Sequence, residues 1–225
     1  MKNIKVIGHR GARGLETENT LESIKKALDL GVDGVEFDVW TTKDGVPVLH
    51  HDENLVRMTG ENKRIPEISW DELKKIRTRD GKNIPTAQEA IELIGDKSFI
   101  FFEVKDRTLT PAVLRLLKDN KNKVYTVTSF EWPVLVELKK AMPDLQLYPA
   151  TSSHPFKAIS FAHRHKFHGV NIKYFWISPF TFWLTRHYGL KFKLYTVNNP
   201  LFVRLLRALR LDVDFMTDFP NRFKR

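Results

Sequence analysis

Four apolar runs end in reactive side chains: "GHRGAR" from Gly8, "VEFDVW" from Val35, "VPVLHHD" from Val46 and "FFEVK" from Phe101. An ionisable group inside such a run is costly to bury unless a partner or a metal compensates it. Glu36 and Asp38 are two apart, so on a strand they share a face, while Phe37 and Val39 take the other. Glu103 and Lys105 share a face with Phe101 in the same way. If both pairs point to one axis, three carboxylates converge. A hard divalent cation with oxygen ligands is the usual remedy for their repulsion. The competing reading is a salt-bridge network in which Arg10 and Lys105 neutralise the acids, but a plain structural core would place Val, Ile or Leu there.

His50 and His51 are neighbours, and on an extended chain they point opposite ways. Asp44-Gly45 reads as a two-residue hairpin turn. In a hairpin centred there, Asp38 opposes His51 and Val39 opposes His50, and directly opposed residues project on one side. His51 is then expected over the acid cluster and His50 on the packed side. A three-residue turn would shift the register and exchange them. His9 follows the first run, with Arg10 beside it. Histidine can give or take a proton near neutral pH. His9 and His51, flanking a metal and a guanidinium that matches phosphate geometry, suit displacement at phosphorus. Both histidines as metal ligands, for amide hydrolysis, is the alternative. His154, His163, His165, His168 and His187 are assigned structural roles.

These groups need a scaffold that brings strand ends together. Strand candidates are Val6–His9, Val35–Val39, Phe99–Val104, Val124–Thr128, Leu145–Tyr148, Val170–Ile172, Phe192–Val197 and Val213–Met216. Most are apolar throughout, as expected when both faces are covered. Helical patterns lie between them: Thr20–Leu30, with Asn19 and Glu22 as a capping box, then Ala87–Ile94, Ala112–Lys118, Pro133–Ala141, Phe156–His165, Pro179–His187 and Leu201–Leu209. Eight strands alternating with helices predict an α/β protein, a (β/α)8 TIM-type barrel, with a doubly wound sheet as runner-up. Residues 53–85 form an insertion between strands two and three, with one short helix capped by Ser69. The tail "FPNRFKR" is too short for an eighth helix. No linker divides the chain, so residues 1–225 are expected to form a single barrel domain.

The 225 residues include no cysteine, which removes disulfides and thiolate chemistry. The start "MKNIKVIGHRG" has no signal-peptide pattern, and no stretch reaches the length of a membrane span. The expectation is a cytoplasmic protein. Net charge is +10, with much of the excess after Ser152, mixed with aromatics. Such a surface attracts polyanions. Nucleic acid is disfavoured by the inward acid cluster and by the lack of a basic recognition helix or an aromatic RNA-binding motif. A barrel that binds phosphoesters without turnover is disfavoured by the intact histidine and acid set. The aromatic stretch "FWISPFTFWL" is expected to pack on the barrel. Its alternative is an exposed patch at the surface of an anionic membrane.

The ordered set HRG, ENT, E-x-D-V, T-K-D-G and "VLHHD" in residues 9–52 resembles the signature of the glycerophosphodiester phosphodiesterases, whose last block is V-x-H-D. "IPTAQEAIEL", "FFEVK", "VTSFEWPVL", "LYTVNNP" and "VDFMTDFP" are similar to later blocks of that family. The resemblance implies a (β/α)8 barrel that hydrolyses glycerophosphodiesters to glycerol 3-phosphate and an alcohol with Ca²⁺ or Mg²⁺. It implies His9 and His51 as the catalytic histidines, Arg10 and Lys105 at the phosphate, and Glu36, Asp38 and Glu103 as metal ligands. Glu18 matches the ENT glutamate and, with Asp52 and Tyr195, is expected to support the site. Three positions depart from the pattern: Thr17 replaces a proline, Tyr195 a tryptophan, and "LDVDFM" the closing G-V-D-G-I. Tyr195 bears on how the alcohol is held, and the insertion is expected to cover one side of the glycerol pocket. Relatives that cleave head groups from lysophospholipids make a membrane-facing mouth the alternative reading of substrate.

Overall fold

The computed structural model describes residues 4–108, 110–123 and 125–223. Its strands are β1 (Val6–Gly8), β2 (Gly34–Thr41), β3 (Pro47–Leu49), β4 (Phe99–Val104), β5 (Tyr125–Ser129), β6 (Gln146–Thr151), β7 (Gly169–Lys173), β8 (Lys191–Tyr195) and β9 (Val213–Thr217). They run in the order β1-β9-β8-β7-β6-β5-β4-β2, and β1 also pairs with β2, which closes eight parallel strands into a barrel. β3 is the extra strand, antiparallel to the outer half of β2. The expected TIM-type barrel is present. The predicted start of the fifth strand at Val124 lies outside the described residues.

The shell helices are α1 (Leu21–Asp29), α4 (Ala87–Ile94), α5 (Pro111–Asp119), α6 (Trp132–Ala141), α7 (Pro155–Arg164), α8 (Pro179–His187) and α9 (Pro200–Ala208). Two short helices, α2 (Val56–Thr59) and α3 (Trp70–Leu73), belong to the insertion. Five shell helices carry proline in the first turn, where the missing N–H costs nothing. After β9 a 3-10 turn, Pro220–Phe223, stands where an eighth helix would be, and Phe223 packs edge-on against Phe215. The main core lies between strands and helices. Phe37 and Phe102, for example, are fully buried and meet edge to face at 5.5 Å, each burial contributing about 2–3 kcal/mol.

The barrel axis is filled by Ile7, Phe101 and Met216, and below them by a charged residue. Lys193 is buried, its Nζ 4.9 Å from the ring centres of both Phe101 and Tyr148 and 3.4 Å from Asp214 Oδ2. Ring faces take part of the place of water around the ammonium.

The insertion packs Leu55, Ile65, Ile68, Leu73 and Ile84 into a small core of its own against Val48 of β3. Ser69 and Glu72 form the capping box that starts α3.

Two local expectations are corrected. The N-cap of α1 is Thr20, whose hydroxyl accepts from Ser23 N; Asn19 has turned away to φ 56° and serves the site instead. The β2–β3 register is also one residue off. Val39 pairs with Leu49 and Thr41 with Pro47. The turn has three residues, with Gly45 at φ 83° closing it. That conformation is cheap only for glycine, so the Asp-Gly signal was real but belonged to the longer loop.

Candidate active site

The helices begin at the end of the barrel where the strands stop, and the predicted reactive groups meet there. A cleft of about 190 Å³ is lined by His9, Arg10, Asp38, His51, Glu103 and Lys105, with Arg13, Phe130, Asn171, Lys173, Tyr195, Thr196 and Met216. Glu36 lies beneath it, its Oε2 4.0 Å from His9 Nε2. Strand alternation put Glu36 and Asp38 inward, and Glu103 joins them because β4 pairs in register with β2, Asp38 opposite Glu103.

The carboxylates of Glu36, Asp38 and Glu103 each offer an oxygen, and the three oxygens lie within 4.8 Å of one another. All three residues are buried. Burial pushes Glu36 well above the usual carboxylate range, and the charges of Asp38 and Glu103 add to the shift. Burial likewise raises Glu103 despite the Lys105 ammonium. Burial would raise Asp38 too, but Lys105 and Arg10 together hold it far below its ordinary value. Lys105 bonds Glu103 and lies 3.0 Å from Asp38. Those two carboxylates keep its pKa up against burial. The two cations leave a remainder. Glu36 Oε1 is buried with no hydrogen-bond partner, while Oε2 accepts from Arg10 N at 2.7 Å. A buried orphan oxygen beside two more carboxylates fits a hard divalent cation.

The loop after β1 is shaped to reach this cluster. Arg10 and Gly11 both take positive φ, 50° and 80°. A Cβ on Gly11 would stand 2.4 Å from Ser23 Oγ, so only glycine fits against α1. Asn19 clamps Asp38 from two sides: Nδ2 donates to Oδ2 at 2.8 Å, and Oδ1 accepts from Asp38 N at 3.1 Å. Positive φ at Arg10 and Asn19, neither a glycine, stores about 1–3 kcal/mol at each. Two of the four such residues among those described lie at the site; the others, Lys166 and Arg210, follow the ends of shell helices.

Each histidine is held by a carboxylate. His9 Nδ1 is 2.7 Å from Asp218 Oδ1, and Asp218 is further fixed by Asn198 (2.8 Å) and Arg13 (2.9 Å). Burial lowers the His9 pKa, and the bond to Asp218 opposes it. Burial would raise Asp218, but His9, Asn198 and Arg13 together outweigh it and the carboxyl stays low. An ionised Asp218 makes Nδ1 the donor, leaving Nε2 as the free base facing the cluster. His51 Nδ1 is similarly 2.6 Å from Asp52 Oδ1. Burial lowers His51, against the pull of Asp38.

With the shifted register, His50 rather than His51 continues the face of Asp38. The pairing ends at Leu49, however, and only His50 N still reaches Asp38 O (3.1 Å). The chain then bends. His50 is buried with Nδ1 donating to Asp52 O at 2.6 Å, and Trp40 Nε1 holds His51 O at 3.2 Å. His51 thus reaches the cleft by a bend, not by the register from which it was expected.

The insertion does not line the cleft, contrary to expectation. It acts through Arg57, which the sequence reading missed: Nε donates to Asp52 Oδ2 at 2.5 Å and Nη2 to Glu18 Oε1 at 2.6 Å. Glu18 in turn accepts from Arg10 Nη1 at 2.8 Å. Asp218 was also missed, although it is the residue just past β9, the position that marked the other groups. Tyr195 lines the cleft and meets Phe130 edge-on at 6.0 Å. None of the five histidines assigned structural roles lines the cleft. His163, for instance, stacks on Tyr188 at 4.1 Å.

Fold and site together define a barrel with an acid–histidine centre at the C-terminal ends of its strands. A model of the glycerophosphoryl diester phosphodiesterase family matches residues 9–222, and the chain belongs to that family. It is 35% identical over 156 residues to a glycerophosphodiester phosphodiesterase of Caldanaerobacter subterraneus, covering 63% of this chain and 64% of that one. It is 37% identical over 112 residues to human glycerophosphodiester phosphodiesterase 1, covering 45% of this chain and 34% of the human protein. The match thus spans just under two thirds of the first relative and about a third of the second. Among solved structures, an Oleispira antarctica phosphodiesterase in complex with the product sn-glycerol-3-phosphate superposes with a TM-score of 0.88 at 27% identity. That match covers 97% of this chain and 94% of that one. A glycerophosphodiester phosphodiesterase from Thermotoga maritima superposes with a TM-score of 0.82 at 26% identity, covering 99% and 98%.

Proposed function

We propose that the protein hydrolyses glycerophosphodiesters to glycerol 3-phosphate and an alcohol, with His9 and His51 as the general acid/base pair. The observation that carries the reading is that both histidines, each held at Nδ1 by a carboxylate, line one cleft with Arg10, Lys105 and the acid cluster. One imidazole takes the proton of the attacking oxygen at Nε2; the other gives a proton to the departing alkoxide. The diester's own negative charge favours the imidazolium needed for the second role. Arg10 and Lys105 orient the phosphate, and the carboxylates of Asp218 and Asp52 hold the ring that becomes charged. A divalent cation, Ca²⁺ or Mg²⁺, held by Glu36, Asp38 and Glu103 would draw charge from the non-bridging oxygens. Glu18 sets the position of Arg10, and Tyr195 with Phe130 forms one wall for the alcohol. The single barrel unit is proposed to act in the cytoplasm, at or near an anionic membrane face.

Release of glycerol 3-phosphate from glycerophosphocholine, with Ca²⁺, with Mg²⁺ and with chelator, tests this. Cation-dependent release supports it, and silence with either cation on a panel of diesters overturns it. Lysophospholipase D-type cleavage is the second reading, favoured by aromatic side chains exposed around the mouth. Lysophosphatidylcholine assayed in parallel separates the two.

A further inference from the structure

The charge of the chain is segregated. From residue 145 to residue 211 there is no Asp or Glu, but there are ten Lys or Arg. The rest of the chain therefore balances, and this segment accounts for the whole net charge of +10. It builds the sector from β6 to α9.

The same sector carries most of the exposed aromatics. Phe156 opens α7, Tyr174 and Phe175 follow β7, Phe180 and Trp183 lie in the first two turns of α8, and Leu201 opens α9. All are exposed: Phe175 by 57%, Trp183 by 55% and Leu201 by 67%. Their rings adjoin: Phe156 to Phe180 at 5.7 Å, Phe180 to Trp183 stacked at 5.9 Å, Tyr174 to Phe175 at 6.0 Å. The expectation that this stretch is core holds only for its inner face, such as Phe182 against Phe192.

Each of these residues follows the end of a strand, so the patch forms a rim on the end of the barrel that holds the cleft. The two features join at Lys173, which lines the cleft and sits 5.7 Å over the Phe175 ring. Lys157 and Arg204 stand one and three residues beyond Phe156 and Leu201. Large apolar side chains with interspersed cations and no anions match a surface that is negative at its face and apolar beneath. Protein interfaces share the aromatics but are poor in lysine, whereas Lys173 sits over the Phe175 ring and Lys157 follows Phe156.

We propose that this rim docks the protein on an anionic lipid bilayer with the cleft toward the head groups, so that its diester substrates are taken from the membrane surface. The choice of substrate rests on the phosphodiesterase reading; the docking does not. Aromatic rings enter the interface and the cations hold the anionic lipid, each contributing about fivefold in partition.

The test is co-sedimentation of the full chain with phosphatidylcholine vesicles, alone or containing one third phosphatidylglycerol, for the wild type and for Phe175→Asp with Trp183→Asp. Wild type should pellet with the anionic vesicles about tenfold more than with neutral ones, less so in high salt. The double variant should lose at least about tenfold and should turn over soluble diester like wild type. Wild type left in the supernatant, or variant and wild type pelleting alike, would overturn the proposal. So would a dimer in sedimentation velocity that the double variant dissolves, since the patch would then face a second copy. If neither protein turns over soluble diester while vesicle binding holds, the catalytic reading fails and the docking stands.

Discussion

Arg57 Nη2 donates to Glu18 Oε1 across 2.6 Å and ties the insertion to the loop that carries Arg10. Its Nε holds Asp52, the partner of His51. One guanidinium therefore braces both Arg10, through Glu18, and His51, through Asp52. Arg57→Ala should lower kcat/KM about tenfold or more, with the fold intact because the side chain is half exposed. Lys at this position should recover only part, having no fork for two carboxylates. Steady-state kinetics of the three proteins checks this, and an alanine variant as active as wild type would show the brace to be idle.

His51 and His50 should separate cleanly. His51→Ala removes a proton-transfer group and should cost about 10²–10⁴ in kcat, with an unchanged melting temperature. His50 is buried and bonded to the Asp52 carbonyl. His50→Ala should cost about 1–3 kcal/mol of stability and spare much of the activity below its melting temperature. Equal activity losses in two well-folded proteins would refute the assignment.

Glu36 sits against two carboxylates with one oxygen unpartnered. Glu36→Gln should raise the melting temperature of the cation-free protein, by relieving repulsion, and should shrink the further rise on adding Ca²⁺ or Mg²⁺. This crossing of effects in a thermal-shift assay is the signature of a cation site. A variant less stable than wild type without cation would instead mark a salt-bridge network that needs all three acids.

The pH dependence of stability should carry a contribution from Lys193. Burial brings its pKa down to about 8 from 10.5, against the opposing pull of Asp214. Between those values the unfolded lysine is protonated and the folded one is not, so this residue's contribution to stability rises with pH. Lys193→Met should therefore stabilise the protein at pH 7, by about 1–3 kcal/mol, and the advantage should shrink as pH climbs from 8 to 10.5. Urea unfolding of both proteins across that range measures it; a constant difference would mean that the lysine does not lose its proton inside the barrel.

The strand-borne half of the site was legible because a period of two leaves no freedom: once Phe37 and Val39 face the helices, Glu36 and Asp38 must face the axis. The loop-borne half was less so. Asn19 resembled a cap because its residue type suits both a helix start and a left-handed turn, and the adjacent Thr20 took the cap. The hairpin signal fixed the presence of the turn but not its length, since glycine at positive φ ends two-residue and three-residue loops alike. Arg57 was hidden because a surface arginine in an insertion gives no local sign of which loop it will meet. Asp218 carried a sign, being one residue past a strand like His9, but its partner could be named only once β9 was known to lie beside β1.

That last adjacency has a consequence in time. His9 and Asp218 are brought together by the pairing of Gly8 with Thr217, across 209 residues of chain. A ribosome would complete the acid cluster when Glu103 emerged, yet the imidazole of His9 would have no carboxylate to orient it until the ninth strand closed the ring. Growing chains would carry all three acids long before His9 could meet Asp218, and closure of the barrel is the event that completes the candidate site.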